Sequence, residues 1–215
     1  CSRMGYPSFA GIQMVGSSKN ESSILNLGEL IDRSLDLSRV AVIEANPVNP
    51  RQVTYGELDS LANAVARGLS RFPIGRRDRV AIVAGGSVNF LGAYLGILRA
   101  GGVAVLINPR FSPNEISRLL QETECKAVFA DSSFGTGLDQ NIMQIIFGSN
   151  FSRFLDPGPF TAVSPEKGDP ALMLFTSGSS SRPKGVVIPH DRHRWVVRRG
   201  AGAVANGQKG FRSPV

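Results

Sequence analysis

Apolar positions along the chain change spacing in a regular order, and that order predicts the elements. Leu58, Leu61, Ala62, Val65 and Leu69 fall on one helical stripe. Thr54-Tyr55-Gly56-Glu57 reads as a capping box ahead of it, hydroxyl and carboxylate each meeting an orphan amide. Val80 to Val83 is a β-branched run before Gly85-Gly86. Ser87 then caps a predicted helix with Phe90, Leu91, Tyr94, Leu95 and Leu98 on one face. Val103 to Ile107 predicts the next strand, Ser112-Pro113-Asn114-Glu115 a second capping box, and Ile116, Leu119 and Leu120 its buried stripe. Ala127 to Ala130 closes a strand-helix-strand-helix-strand series with near-continuous apolar strands. Such a series predicts an α/β fold with a parallel sheet covered on both faces.

Outside that series the pattern is weaker. A first helix is expected near Leu27 to Leu37, then a short strand at Val40 to Glu44 and a turn over Pro47 to Pro50. Residues 131–170 are the least regular; Ile142 to Phe147 reads as a strand, and Pro157, Pro159, Pro165 and Pro170 break the remainder. Leu172 to Phe175 and Val186 to Ile188 are two further apolar strands. Phe90 to Ile107 is apolar apart from Arg99, but a membrane span wants about 20 apolar residues and a central Arg costs roughly 2.5 to 3.5 kcal/mol. Gly101-Gly102 divides the stretch into a helix and a buried strand, so no membrane span is expected.

Composition changes this picture little. The chain has 215 residues, 42% hydrophobic and 19% charged, as in ordinary globular domains. Of the formal net charge of +7, residues 191–215 carry +5 through Arg192, Arg194, Arg198, Arg199, Lys209 and Arg212 against Asp191. A basic tail of this kind raises nucleic acid or anionic lipid as partners; a solvated or non-native terminus is the plainer expectation. The two cysteines, Cys1 and Cys125, make no disulfide framework and have no metal-ligand spacing, which fits a reducing, cytoplasmic setting. The initial Cys1 suggests a trimmed reading frame. His190 and His193 lack an evident acidic partner and read as structural, and Cys125 as a packing residue.

The candidate chemistry lies between the last two strands. Thr176-Ser177-Gly178-Ser179-Ser180-Ser181 are six small residues, followed by Arg182-Pro183-Lys184-Gly185. Small residues let backbone amides approach phosphate oxygens, hydroxyls donate to them, and the Lys184 ammonium offsets their charge. Gly178 and Lys184 keep part of the Walker spacing. However, Pro183 replaces its second Gly, Gly185 replaces the Ser or Thr that holds magnesium, and a strand follows where a helix should. A flexible linker or plain hairpin would explain the small residues but not Lys184 held between Pro183 and Gly185.

Thr176 to Gly185 resembles the phosphate-loop signature of adenylate-forming, AMP-binding enzymes, which include acyl-CoA synthetases, peptide-synthetase adenylation domains and luciferases. That signature reads Thr-Ser-Gly-Thr-Thr-Gly-x-Pro-Lys-Gly. Ser179 and Ser180 keep its hydroxyls, and Ser181 stands at its last loop Gly, where a left-handed backbone would cost Ser about 1 kcal/mol or more. Val53 to Leu58 with Ala62-Asn63, Asp78 to Ile82, and Ala93 to Gly101 leading to Asn108-Pro109 are similar to family segments in order and spacing. The resemblance spans about 28–190, and gives a lead-in over 1–26, a partial AMP-binding domain over 27–190 and a basic tail over 191–215.

The resemblance implies ATP-dependent activation of a small-molecule carboxylic acid. The carboxylate attacks the α-phosphate, pyrophosphate leaves, and coenzyme A or another thiol captures the acyl-adenylate. Thr176, Ser177, Ser179, Ser180 and Lys184 would cradle the β- and γ-phosphates, with Gly178, Ser181, Pro183 and Gly185 shaping the loop and Mg2+ arriving with ATP. No catalytic or metal-ligating residue is assigned. The family's adenine-binding aromatic motif, ribose-orienting acid and C-terminal catalytic Lys are not found in these residues, so a truncated chain, inactive alone, is expected. A non-catalytic nucleotide- or nucleic-acid-binding module is the alternative.

Overall fold

The computed structural model describes residues 25–44, 50–134, 142–176 and 183–192. Two strands, β1 (Val40–Glu44) and β2 (Arg51–Thr54), form an antiparallel pair. They lead into α1 (Tyr55–Ser70), β3 (Arg79–Val83), α2 (Val88–Arg99), β4 (Val103–Leu106), α3 (Pro113–Glu122), β5 (Ala127–Ala130), β6 (Met143–Ile146), α4 (Phe151–Phe154), β7 (Pro170–Thr176) and β8 (Lys184–Pro189). The larger sheet has the order β6-β5-β3-β4-β7-β8, parallel throughout except for β8, which runs antiparallel to β7.

Both predicted capping boxes form. Glu57 Oε2 accepts the Thr54 N–H at 2.8 Å while the Glu57 N–H donates to Thr54 Oγ1, and Ser112 and Glu115 repeat the pairing. Ser87 caps α2 as expected. The predicted stripes also stand: Leu58, Ala62, Val65 and Leu69 are buried on α1, and Ile116, Leu119 and Leu120 on α3.

Alternate residues of each strand point to opposite layers. Val80, Ile82, Ala127 and Phe129 join the core under α1 and α2, whereas Ala81, Val83, Val128 and Ala130 join the core under α3. The parallel sheet is therefore covered on both faces. Helix α2 is buried on more sides than one face of large residues would suggest, because Gly92, Ala93, Gly96 and Ile97 are enclosed too. A Cβ on Gly92 would lie 2.5 Å from the Leu61 side chain, and one on Gly96 would lie 2.6 Å from that of Val65. Glycine is what lets α1 and α2 approach this closely.

The expected helix near Leu27 to Leu37 is not there. Only a 3-10 turn, Leu27–Glu29, forms. Asp32 Oδ1 accepts from the Ser34 N–H and hydroxyl, and Asp36 Oδ1 does the same for Ser38. These local side-chain bonds hold the backbone in turns and displace the helical ladder. The apolar stretch from Phe90 divides at Gly101, whose φ is +83°, into α2 and β4. Among the described residues no helix is long and apolar enough to cross a membrane.

After β6 the chain returns across the helical layer to reach β7. The Asp156 N–H donates to Ala64 C=O at 3.1 Å, Val163 N–H to Arg99 C=O at 2.8 Å, and Asn26 Nδ2 to both Leu98 C=O and Val163 C=O. This segment contains the prolines that obscure its sequence pattern. It delivers β7 beside β4, on the opposite side of the sheet from β6.

Candidate functional site

Strand β7 continues the parallel sheet, pairing Ala104 with Leu172 and Leu106 with Leu174, so its carboxyl end opens on the same edge as those of β3 and β4. Ligands of open α/β sheets bind outside that edge. Strand β8 then returns antiparallel, with Thr176 opposite Lys184 and Phe175 opposite Gly185. Of the candidate loop residues, Thr176 is the last residue of β7, Lys184 is the first of β8 and exposed, Gly185 is exposed, and Pro183 is half-buried just before Lys184. Ser177, Gly178, Ser179, Ser180 and Ser181 lie outside the described residues. A Cβ on Gly185 would meet the Phe175 ring at 3.4 Å, an ordinary van der Waals contact.

Other polar groups on this edge are engaged. The first amides of α2 are taken, Val88 N–H by Glu44 Oε1 at 2.7 Å and Phe90 N–H by the Ser87 hydroxyl. Gly85 N–H donates to Asp131 Oδ2 at 2.8 Å, and Asn108 Oδ1 accepts the Arg110 N–H. Sequence pattern offers no reason to single out Glu44 or Asp131, because neither belongs to a motif; only the shared edge brings them near the turns after β3. Lys184, the first residue of β8, is a cation that the described part of the β7–β8 hairpin places at this edge.

Arginines are drawn to the opposite edge. Asp169, just before β7, accepts from Arg76 Nε at 3.1 Å, Arg77 Nε at 2.8 Å and the Glu166 N–H at 2.8 Å. Burial works to raise the Asp169 pKa, but donation from Arg76, the Glu166 amide and Arg77 outweighs it and holds the carboxyl at about 2. His190 is buried; its N–H donates to Asp169 C=O, and its Nδ1 accepts the Leu27 N–H at 3.1 Å. This is a structural role, as its sequence context suggests. His193 lies outside the described residues. Cys125 is also internal: burial raises its thiol to about 11 against the weaker opposing effects of Thr123 and Arg79, so it is no ready nucleophile.

The family described as "AMP-binding enzyme" matches residues 36–208, well over half of the chain and including the whole β7–β8 hairpin. The chain belongs to the AMP-binding enzyme family. Its relatives include CoA ligases and a nonribosomal peptide synthetase-like enzyme. It is 31% identical over 157 residues to the 3-hydroxybenzoate--CoA/4-hydroxybenzoate--CoA ligase of Thauera aromatica, covering 65% of this chain and 30% of that enzyme. It is 32% identical over 140 residues to bacitracin synthase 1 of Bacillus licheniformis, covering 65% of this chain and 3% of that protein.

Among solved structures, ATP-bound MatB from Rhodopseudomonas palustris superposes with a TM-score of 0.73 at 26% identity, over 84% of this chain and 37% of that one. The anthranilate CoA ligase AuaEII, at a TM-score of 0.74 and 18% identity over 81% of this chain and 36% of the other, shares the fold. The AMP-binding chain described here thus spans under two-fifths of the length of these relatives. Its mostly parallel α/β sheet flanked by helices is the architecture they share.

Proposed function

We propose that this chain carries the ATP-phosphate-gripping part of an AMP-forming carboxylate–CoA ligase. The single observation that carries the reading is the hairpin: a glycine- and serine-rich loop whose two feet, Thr176 and Lys184, are paired across β7 and β8 at the carboxyl edge of a parallel sheet. Pairing of the feet fixes the two ends of the loop, so part of the entropy of presenting it to a polyphosphate is already spent. Lys184 supplies a positive charge at the mouth, where charge develops on the leaving pyrophosphate as a carboxylate oxygen attacks the α-phosphate.

In this reading Thr176, Ser177, Ser179, Ser180 and Lys184 bind the β- and γ-phosphates, Gly178 and Gly185 allow close backbone approach, Ser181 shapes the loop, and Pro183 stiffens the exit into β8. The described residues contain no group of three or more His, Cys, Asp or Glu able to hold a metal ion. Magnesium would arrive with ATP, as the resemblance implies. Coenzyme A as thiol acceptor is supported by the CoA ligases among the relatives, and a carboxylic acid as co-substrate by the same names.

The relatives that carry the whole activity are about three times as long as the matched region. The 215-residue chain is accordingly expected to bind ATP without completing the ligation. Titration with a fluorescent ATP analogue tests the binding. Saturable binding weakened by about tenfold or more in Lys184→Ala supports the reading. Binding that is absent, or unchanged in Lys184→Ala, rejects it. Carboxylate-dependent pyrophosphate release by the chain alone would reject the expectation that it cannot turn over.

A further inference from the structure

The β7–β8 hairpin that carries Thr176 and Lys184 at one end is closed at the other by Pro170 opposite Pro189. Neither proline has an N–H, and the ladder closes at this end on the bond from the His190 N–H to Asp169 C=O. Among the described residues, β8 is the outermost strand of the sheet and pairs only with β7. Lys184, Gly185, Val186 and Val187 are all exposed, Val186 at 45% and Val187 at 51%. Ile188 is the β8 residue that packs against the main core, so burial holds the pairing at one position along the strand, and weakly specified strands are prone to slip. The ladder is already irregular between Pro170 and Leu172.

His190 follows Pro189 directly and is bound at two points. Its N–H donates to Asp169 C=O at 3.0 Å, and its Nδ1 accepts the Leu27 N–H at 3.1 Å across 163 residues of sequence. Both partners are immobile. Asp169 is held by Arg76, Arg77 and the Glu166 amide, and Leu27 is fully buried in the main core. Asn26, Arg76, Arg77 and Asp169 line the same small cavity as His190. Accepting at Nδ1 requires the neutral imidazole with its proton on Nε2.

We propose that His190 is a positioning residue that locks the register of β8 against β7 and so sets where Lys184 stands relative to Thr176. A slip of one residue would turn every β8 side chain to the other face and carry Lys184 away from the loop mouth. The lock acts from the far end of the strand and touches no nucleotide. Its consequence for phosphate binding rests on the reading of the loop proposed above.

The test compares the full chain with His190→Leu, His190→Asn and Lys184→Ala by amide hydrogen exchange and by titration with a fluorescent ATP analogue. Asn can place its Oδ1 near the Nδ1 position, whereas Leu leaves the Leu27 N–H without that acceptor. His190→Leu is expected to lose protection selectively in 184–189, with 79–83 and 127–130 unchanged, and to bind the analogue about tenfold more weakly, the scale of a small misplacement at a site. His190→Asn should recover most of both. Unchanged protection in His190→Leu, an even loss over all strands, or no recovery with Asn would overturn the lock. If Lys184→Ala binds the analogue as tightly as the natural chain, the nucleotide reading fails, and the exchange pattern alone still decides the lock.

Discussion

Arg99 Nη2 lies 2.6 Å from Asp59 Oδ1 in a buried ion pair that ties α2 to α1. The guanidinium also donates to Gly28 C=O at 2.7 Å, Asp59 C=O at 2.9 Å and Asn63 Oδ1 at 2.7 Å, so the one charge in the apolar stretch from Phe90 to Ile107 is an internal clamp. Burial lowers the Arg99 pKa and Asp59 works against it. Arg33 reaches Asp59 from the solvent side, at 3.0 Å.

Arg99→Met removes donors from four acceptors and leaves Asp59 with Arg33 alone. Urea unfolding should show a loss of about 3 to 5 kcal/mol, the usual result of breaking one side of a buried pair. Replacing both residues, Arg99→Met with Asp59→Leu, should cost less than the two single changes added together.

Gly96→Ala tests the close approach of α1 and α2. The added methyl meets Val65 Cβ at 2.6 Å and Ala62 C=O at 2.8 Å, and the backbone oxygen cannot rotate away. We expect a destabilisation of about 1 to 3 kcal/mol by thermal or urea melt, despite the better helix propensity of Ala. Gly148→Ala adds a methyl in open space but sits at φ +77°, so any loss there comes from backbone strain alone.

Asp169 makes stability depend on acidity. Its folded pKa of about 2 lies below the ordinary 3.8, so its contribution is present above the ordinary value and is lost as pH falls toward 2. Unfolding midpoints measured across that window should drop steeply in the natural chain and more gently in Asp169→Asn. The two proteins should differ most near neutral pH and converge at the acid end.

Asn150 guards the other edge of the sheet. Its Oδ1 accepts the Ile146 N–H at 2.6 Å and its Nδ2 donates to Gln144 C=O at 3.0 Å, so one side-chain amide occupies ladder groups on the outer side of β6. Asn150→Ala exposes them. Light scattering should detect greater concentration-dependent association than in the natural chain, because an open strand edge is a template for pairing. A modest stability loss of about 0.5 to 1.5 kcal/mol should accompany it.

Elements with strong local chemistry were legible from the residues. The Thr54/Glu57 and Ser112/Glu115 boxes place α1 and α3, and the apolar runs at Val80, Val103 and Ala127 place three parallel strands. The expected first helix fails because Asp32 and Asp36 bond to nearby serines, a competition invisible to hydrophobic spacing. The course of 155–169 was illegible for a related reason: its partners, Ala64, Arg99 and Asn26, are remote in sequence.

The candidate loop illustrates the division. Its residue types, the Lys184 between Pro183 and Gly185, and the strands flanking it are local properties, and from them the family could be named. That Thr176 faces Lys184 on the carboxyl edge beside β4, while Arg76 and Arg77 are consumed at the opposite edge by Asp169, depends on strand order. Local sequence determines capping, periodicity and the chemistry a segment can offer, because those interactions reach only a few residues along the chain. Which charges are buried, which strands meet and where Lys184 stands are decided by tertiary structure, because they depend on contacts such as Leu27 with His190 that no local pattern encodes.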